Sequence, residues 1–320
     1  MKKTQRETNP FPYSDSNKRY YTYDYFLRRT YGAKVAKITL DAGMTCPNID
    51  GTCGVGGCIY CSARGSGDFA ESPLLPIDHQ YAIQCERMRK KWDTVRFIPY
   101  LQEHTNTYAP IERLRRIYDE TRALPGAVGM SIATRADALS PEVLTLLAEC
   151  AEKTDLTVEL GLQTVHDQTA ELIRRGHDFK TFCKGYYALR DASPKIRIGI
   201  HLINGLPGED RDMMLESART VGELMPDELK IHLLYVLKDT DLAKLYLSGA
   251  YTPLSLDAFA TTVAEQLTYL PQRTVIGRLT GDGAPDELLA PLWSLKKLVV
   301  LNTIDRCLYE RGWYQGCNRT

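Results

Sequence analysis

Four cysteines lie close together in one glycine-rich segment, at positions Cys46, Cys53, Cys58 and Cys61. The last two form a Cys-x2-Cys pair, and the other two thiols lie just upstream of it. Thiolates at this spacing are soft ligands for a metal ion or an iron–sulfur cluster. The intervening glycines allow the backbone to pass close to a compact inorganic group. The segment therefore predicts a metal centre.

The arrangement of the thiols bears on the kind of centre. A structural zinc site is usually closed by four ligands from two separated pairs. Neither a second Cys-x2-Cys pair nor a His-x3–5-His pair follows in this sequence. A cluster held by three thiolates leaves one iron open to a substrate or cofactor, which fits a single compact segment. A zinc knot is the alternative, and spacing alone allows either Cys46 or Cys53 as the first ligand.

Strand-like and helix-like apolar patterns alternate along most of the chain, which predicts repeated β/α units and a parallel sheet. Six such units are fewer than the eight of a closed barrel, so we expect an α/β fold with a partial (β/α)6 TIM-like barrel. The predicted strands are 36–40, 96–101, 128–132, 157–162, 196–202 and 229–235. The predicted helices are 77–91, 110–122, 141–150, two within 167–190, and 209–224.

Polar clusters follow the predicted strands at the same end. The cysteine segment follows the first strand, Gln102 the second and Arg135 the third, while Gln163, Asn204 and His232 lie at or near the ends of the last three. Because the carboxyl ends of parallel strands meet at one rim, the sequence predicts one active site there.

The pattern changes after about residue 255 to helices with one short apolar run at 274–279. We therefore expect an N-terminal arm over 1–30, the partial barrel over 31–254, and a helical C-terminal extension over 255–320 that packs on the barrel. No run of eighteen apolar residues and no signal-peptide pattern is present, which predicts a cytoplasmic protein without a membrane span.

Several motifs together resemble the radical S-adenosylmethionine (SAM) enzymes of the YhcC/YtqA type, relatives of the elongator catalytic subunit. The resemblance covers nearly the whole chain and includes Cys46-Pro-Asn-x-Asp-Gly and the Gly-Gly-Cys-x-Tyr-Cys that ends at Cys61. That family spaces its cluster cysteines Cys-x11-Cys-x2-Cys, which implies Cys46, Cys58 and Cys61 as ligands of a 4Fe–4S cluster. Cys53 has no counterpart in that pattern.

The resemblance also implies a chemistry and a set of SAM contacts. Such enzymes bind SAM on the open iron and cleave it reductively to a 5′-deoxyadenosyl radical. The electron would come from a low-potential donor, flavodoxin or ferredoxin. The implied contacts are Gln102, Arg135 as a fork on the SAM carboxylate, the pair Glu159 and Gln163, and the turn that contains Gly205 and Gly208.

The spacing of Glu159 and Gln163 supports a shared site. They are separated by an even number of residues, so a regular strand would point both side chains into the barrel mouth. A structural alternative is that Glu159 only caps a layer of the barrel interior, through a partner such as Arg135.

The resemblance further implies a tRNA substrate, because its members are linked to wobble-uridine side chains. The implied role is the remodelling of a carboxymethylaminomethyl group toward an aminomethyl group. The chain has 40 Lys and Arg and 40 Asp and Glu, and zero net charge gives RNA binding no support. The alternatives are a radical SAM enzyme acting on a small metabolite or a protein, and a non-catalytic zinc-knot interaction protein.

Overall fold

A computed structural model describes residues 9–62, 65, 70–281, 283 and 285–319. Its strands are β1 Val35–Leu40, β2 Arg96–Leu101, β3 Met130–Thr134, β4 Leu156–Gln163, β5 Arg197–Asn204, β6 Glu228–Leu233, β7 Val236–Leu237, β8 Val275–Arg278 and β9 Leu288–Ala290. In this part of the chain, seven strands form a parallel half-barrel in the order β1-β2-β3-β4-β5-β6-β8. The short strands β7 and β9 pair separately and antiparallel.

Helices connect the strands and cover the outer face of the sheet. They are α1 Tyr23–Tyr31, α2 Ile77–Arg89, α3 Ile111–Arg122, α4 Pro141–Ala151, α5 Asp167–Leu172, α6 Phe179–Ala192, α7 Arg211–Leu224, α8 Asp241–Leu247, α9 Leu256–Tyr269 and α10 Lys297–Glu310, with a 3-10 turn at Leu292–Leu295. Side-chain caps set several starts, as where Ser140 accepts the Val143 N–H at 3.3 Å. None of the described helices is long and apolar enough to cross a membrane.

The two faces of the sheet differ in character, because successive side chains of a strand point to opposite sides. Outward residues of the central strands are apolar and pack in the main core with the helices: Leu160, Leu162, Ile198, Ile200, Leu229 and Ile231. Inward residues of the same strands are polar or small, including Glu159, Gly199, His201 and Lys230. A Cβ on Gly199 would lie only 3.2 Å from Cγ of Glu159, so glycine leaves room for that carboxylate.

The partial barrel predicted from sequence is confirmed, but the number of strands is seven rather than six. All six predicted strands form close to their predicted bounds. The seventh, β8, lies in the segment assigned to the C-terminal extension, and it pairs in parallel with β6. Four residues are too few to show a strand period, so the short apolar run at 274–279 did not by itself predict this strand.

The N-terminal segment joins the two edges of the sheet. Ile276 of β8 donates its N–H to the Tyr21 carbonyl at 2.8 Å, and α1 then packs against both β8 and β1. Gln315 is fully buried and fixes this segment, since its side-chain oxygen accepts the Tyr21 N–H at 2.9 Å. Residues 1–8 of the predicted arm and residue 320 of the predicted extension lie outside the described residues.

Candidate active site

A cavity of about 210 Å³ opens inside the half-barrel, toward the carboxyl ends of the strands. Residues of β2, β4, β5, β6 and β8 line it, together with Tyr60 and Cys61 of the cysteine segment. Of the contacts predicted from sequence, Gln102, Glu159 and Gln163 line this cavity. The rim position expected for the active site is therefore where the cavity lies.

Three other predicted contacts lie outside the lining of this cavity. Gly205 is buried, and its carbonyl accepts the Tyr251 hydroxyl at 2.7 Å, so it belongs to a packed corner beyond β5. Gly208 has a φ of +83° in the turn that leads to α7, where its nearest non-local neighbour is Leu172. Arg135 lies on the far side of the cysteine segment, against Cys53.

The cysteine segment folds back on itself directly after β1. The Gly57 N–H donates to the Asn48 carbonyl at 2.8 Å. The Asn48 side chain donates to the Cys58 sulfur at 3.5 Å and to the Arg174 carbonyl at 2.7 Å. One asparagine thus connects the two ends of the loop and attaches it to the segment after α5.

The four thiols of the segment divide into three and one. Cys46, Cys58 and Cys61 are half-buried, whereas Cys53 is exposed. Burial, with the neighbouring Cys58 and Cys46 thiols, raises the pKa of Cys61 to about 12. Thiols crowded in this way become stable thiolates only beside a cationic centre. In the described ranges, no three His, Cys, Asp or Glu side chains are arranged to hold a single metal ion.

Glu159 lies at the centre of the barrel interior and is 1% exposed. Its carboxylate accepts hydrogen bonds from Lys37 at 2.5 Å, from the Tyr100 hydroxyl at 2.7 Å, from His201 Nε2 at 2.8 Å, and from Lys230. Burial alone would raise the pKa of Glu159, but the Lys230 and Lys37 ammonium groups outweigh it and hold the pKa well below its usual range. Glu159 is therefore an ionised, fully bonded carboxylate.

Arg135, the partner suggested for Glu159 in the structural alternative, is not among the residues that bond to Glu159. The Arg135 guanidinium donates two hydrogen bonds to the Asp137 carboxylate, from Nε at 2.8 Å and from Nη2 at 2.7 Å. It also donates to the Arg175 carbonyl at 2.9 Å. A carboxylate two residues away in the same loop reaches the guanidinium more readily than one on the neighbouring strand. The Arg135 guanidinium, which was expected to hold the SAM carboxylate, forms an ion pair with Asp137 in this structure.

The strand geometry behind the Glu159–Gln163 prediction is irregular at its end. The register between β4 and β5 shifts between Gly161 and Gln163, and Gln163 has a φ of +77°. Both side chains still line the cavity. Gln163 Oε1 is buried and has no hydrogen-bond partner within the described part of the chain.

Several interior residues were missed from the sequence. Two of them, Lys37 and Tyr100, bond directly to Glu159. A third, Arg278, lines the cavity. Lys37 carried a usable signal, because Lys37 and Thr39 alternate with apolar residues in the strand Val-Ala-Lys-Ile-Thr-Leu, and this pattern marks a polar inner face. Glu103 is 2% exposed and lies beside the cysteine segment, with its Oε2 3.4 Å from where a Cβ on Gly65 would be.

The chain matches two known protein-family domains over most of its length. The radical SAM superfamily domain matches residues 50–221, and the radical SAM C-terminal domain matches residues 226–310. The chain belongs to the radical SAM superfamily. YtqA of Bacillus subtilis is 47% identical to this radical SAM protein over 310 residues, which is 97% of this chain and 96% of the relative. The resemblance seen in the sequence motifs is confirmed.

Two further similarities are more distant. The tRNA uridine(34) acetyltransferase of Methanocaldococcus infernus is 25% identical over 158 residues, 48% of this radical SAM protein and 29% of the relative. Among solved structures, Elp3 of the same archaeon with its N-terminus deleted aligns with a TM-score of 0.64 and 17% identity. The alignment covers 88% of this chain and 64% of the Elp3 chain, and it shows a shared fold.

The Glu159 network yields a stability prediction. Glu159→Gln keeps the shape of the side chain but leaves the Lys37 and Lys230 ammonium groups without their counter-charge. Breaking a buried ion pair in this way costs about 3–5 kcal/mol. We expect that loss in the free energy of unfolding, measured by urea denaturation. Glu216→Gln, an exposed position on α7, is the matched control and should change it by no more than about 0.5 kcal/mol. Equal stability of the two variants would contradict this role for Glu159.

Proposed function

We propose that this chain is a 4Fe–4S enzyme that cleaves SAM reductively and acts on the wobble uridine of tRNA in the cytoplasm. The observation that carries the first part is the set of three half-buried thiols beside a polar cavity at the rim of a radical SAM half-barrel. Cys46, Cys58 and Cys61 would hold the cluster. When bound, the cluster supplies the electron for reductive cleavage of SAM, received from a flavodoxin or ferredoxin.

The chain's own residues would bind and orient the cofactor. Glu103 offers a buried carboxylate beside the cysteine segment, which suits the ammonium group of SAM. Gln102 and Gln163 line the cavity and offer amide groups to the nucleoside part. Tyr60 and Tyr100 line the same cavity and exclude water from it. Glu159, already bonded to four donors, would act on SAM only through the residues that it positions.

The ligand assignment is tested by substituting each cysteine in turn. Cys46→Ala, Cys58→Ala and Cys61→Ala should each abolish the cluster, whereas Cys53→Ala should keep most of the iron, because its sulfur is exposed and directed at Arg135. Iron and sulfide content after anaerobic reconstitution, with the visible absorption band, measures this. Cluster loss in Cys53→Ala together with retention in Cys46→Ala would show that the assignment is wrong.

Similarity supports the tRNA part of the proposal. The tRNA uridine(34) acetyltransferase and Elp3 share sequence or fold with this chain. The match to the acetyltransferase covers 29% of that protein, so its acetyl transfer is not carried over. The change that we propose is the remodelling of a carboxymethylaminomethyl group on the uridine toward an aminomethyl group.

Mass spectrometry of tRNA nucleosides tests the substrate. A strain that lacks this gene should lose the aminomethyl form of the wobble uridine and accumulate the carboxymethylaminomethyl form. The wild-type gene should restore the parental pattern, and the Cys58→Ala gene, as the matched control, should not. Identical nucleosides in all of these strains would exclude tRNA as the substrate and favour a small metabolite or a protein.

A further inference from the structure

A groove of about 480 Å³ opens at the opposite end of the half-barrel from the active-site cavity. Arg197, the first residue of β5, lines it together with Asp227 and Arg273, which precede β6 and β8. Since β5 has eight residues, roughly 25 Å separate this groove from the rim where the cavity opens. The groove is therefore a second surface, which the proposed SAM chemistry does not use.

Three arginines and one carboxylate are the charged residues that line the groove in the described part of the chain. The Asp227 carboxylate is already engaged, since it accepts from Arg190 at 2.8 Å and from the Ile198 N–H at 2.9 Å. Arg197 donates to the Asp227 carbonyl at 3.4 Å, while its Nε is buried without a hydrogen-bond partner among the described residues. Arg273 is exposed and forms no ion pair with a described residue. The groove thus presents an exposed guanidinium group to solvent.

Helix electrostatics explain only one of these arginines. Cations are favoured in the last turn of a helix, and Arg190 lies in the last turn of α6. Arg197 begins a strand, and Arg273 lies in the loop that leads to β8. Neither position compensates the carbonyl end of a helix, so another reason is needed for two arginines in one groove.

A row of aromatic rings continues from the groove along the N-terminal segment. The Arg197 guanidinium lies 4.2 Å from the centroid of the Phe26 ring, and that ring lies 6.2 Å from the Tyr21 ring. Tyr21 stacks with Tyr13, with centroids 5.2 Å apart and ring planes at 20° to each other. Tyr13 is 42% exposed, so part of its ring is open to solvent. The arginines of the groove and an exposed aromatic ring therefore form one continuous surface.

The acidic side chains of the same N-terminal segment are paired and do not oppose an anion. Asp15 accepts from Arg28 at 2.6 Å, and Asp24 accepts from Arg28 at 2.9 Å and from Lys34. Two carboxylates are thus matched by two cations. Arg29, at the end of α1, is exposed and adds a further cation beside the row of rings.

Arginines beside aromatic rings are the combination that binds single-stranded RNA. Bases stack on aromatic rings, and guanidinium groups bind the phosphates, without a need for base-paired structure. We propose that Tyr13, Arg197 and Arg273 bind a single-stranded stretch of the substrate RNA, away from the nucleotide that enters the cavity. The inference rests on the proposed function and deepens it, because it names the surface that selects a large RNA over a free nucleoside.

The position of this surface favours RNA over other anionic partners. An electron donor has to approach the cluster, and the cysteine segment follows β1 at the opposite end of the sheet. A small metabolite that occupies the cavity does not reach the groove. RNA is long enough to contact both, and its phosphates match the charge of the groove.

The charged part of the surface is tested by an arginine variant and a matched control. The probe is a fluorescently labelled tRNA transcript with uridine at the wobble position, and anisotropy gives its affinity for the reconstituted full chain over a range of salt concentrations. Arg273→Gln should weaken binding at least about three-fold and lower the slope of log affinity against log salt by about 0.7, the value for one phosphate contact on a single strand. Arg116→Gln, at an exposed position on α3, should change neither.

The aromatic part has a matched pair of its own. Tyr13→Leu removes the stacking ring and should weaken binding at least about five-fold, with an unchanged salt slope. Tyr13→Phe keeps the ring and should bind like the wild type. Iron and sulfide content and the midpoint of thermal unfolding show that each variant is folded, and both should match the wild type.

Three results would overturn the proposal. The first is tRNA binding that neither Arg273→Gln nor Tyr13→Leu weakens. The second is unchanged RNA binding in these variants with a higher flavodoxin concentration needed for SAM cleavage, which would assign the surface to the electron donor. The third is uridine 5′-monophosphate bound as tightly as the tRNA, which would assign the groove to a free nucleotide.

These outcomes are distinct from those of the strain experiment. Unchanged tRNA nucleosides in the deletion strain, together with tRNA binding that both variants weaken, would reject the wobble-uridine reaction and keep the surface. Altered nucleosides, together with variants that bind tRNA like the wild type, would keep the reaction and reject the surface.

Discussion

One buried carboxylate determines how the interior of this half-barrel is built. An ionised group removed from water needs compensating charge and hydrogen bonds, and Glu159 obtains them from residues on β1, β2, β5 and β6. A single side chain of β4 therefore links strands on both sides of it. Closed (β/α)8 barrels fill this space with layers of branched apolar residues. Here the polar network takes their place, and the cavity lies above it.

The site has two polar systems with different tasks. At the rim, Asn48 holds the cysteine segment, and Arg135 is engaged by Asp137 beside the exposed Cys53. In the interior, Glu159 fixes the position of Lys230 on the cavity wall. The first system holds the cysteine segment in place, and the second holds charged side chains inside the half-barrel. Because glycine at position 199 leaves room for Glu159, the two systems fit into one narrow half-barrel.

The sequence predicted what depends on local pattern and chain direction. The apolar patterns predicted six of the seven strands that form the half-barrel in the described residues. Because these strands are parallel, the polar clusters that follow them were expected at one rim. The partners of Glu159 could not be predicted, because they depend on register between strands that lie far apart in the chain. Strand β8 was missed for the same reason, since it is identified by its pairing with β6 and with the N-terminal segment. Gly205 and Gly208 follow their strand as expected, yet the loop turns away from the cavity into a packed corner with Tyr251.

Formation of 5′-deoxyadenosine tests the central claim most directly. Anaerobically reconstituted protein, reduced with dithionite or flavodoxin, is incubated with SAM, and the product is quantified by chromatography. The account predicts that the wild-type chain accumulates 5′-deoxyadenosine and that Cys58→Ala, treated in the same way, does not. A wild-type protein with a full complement of iron and sulfide that yields no more product than the variant, with either reductant, would contradict it.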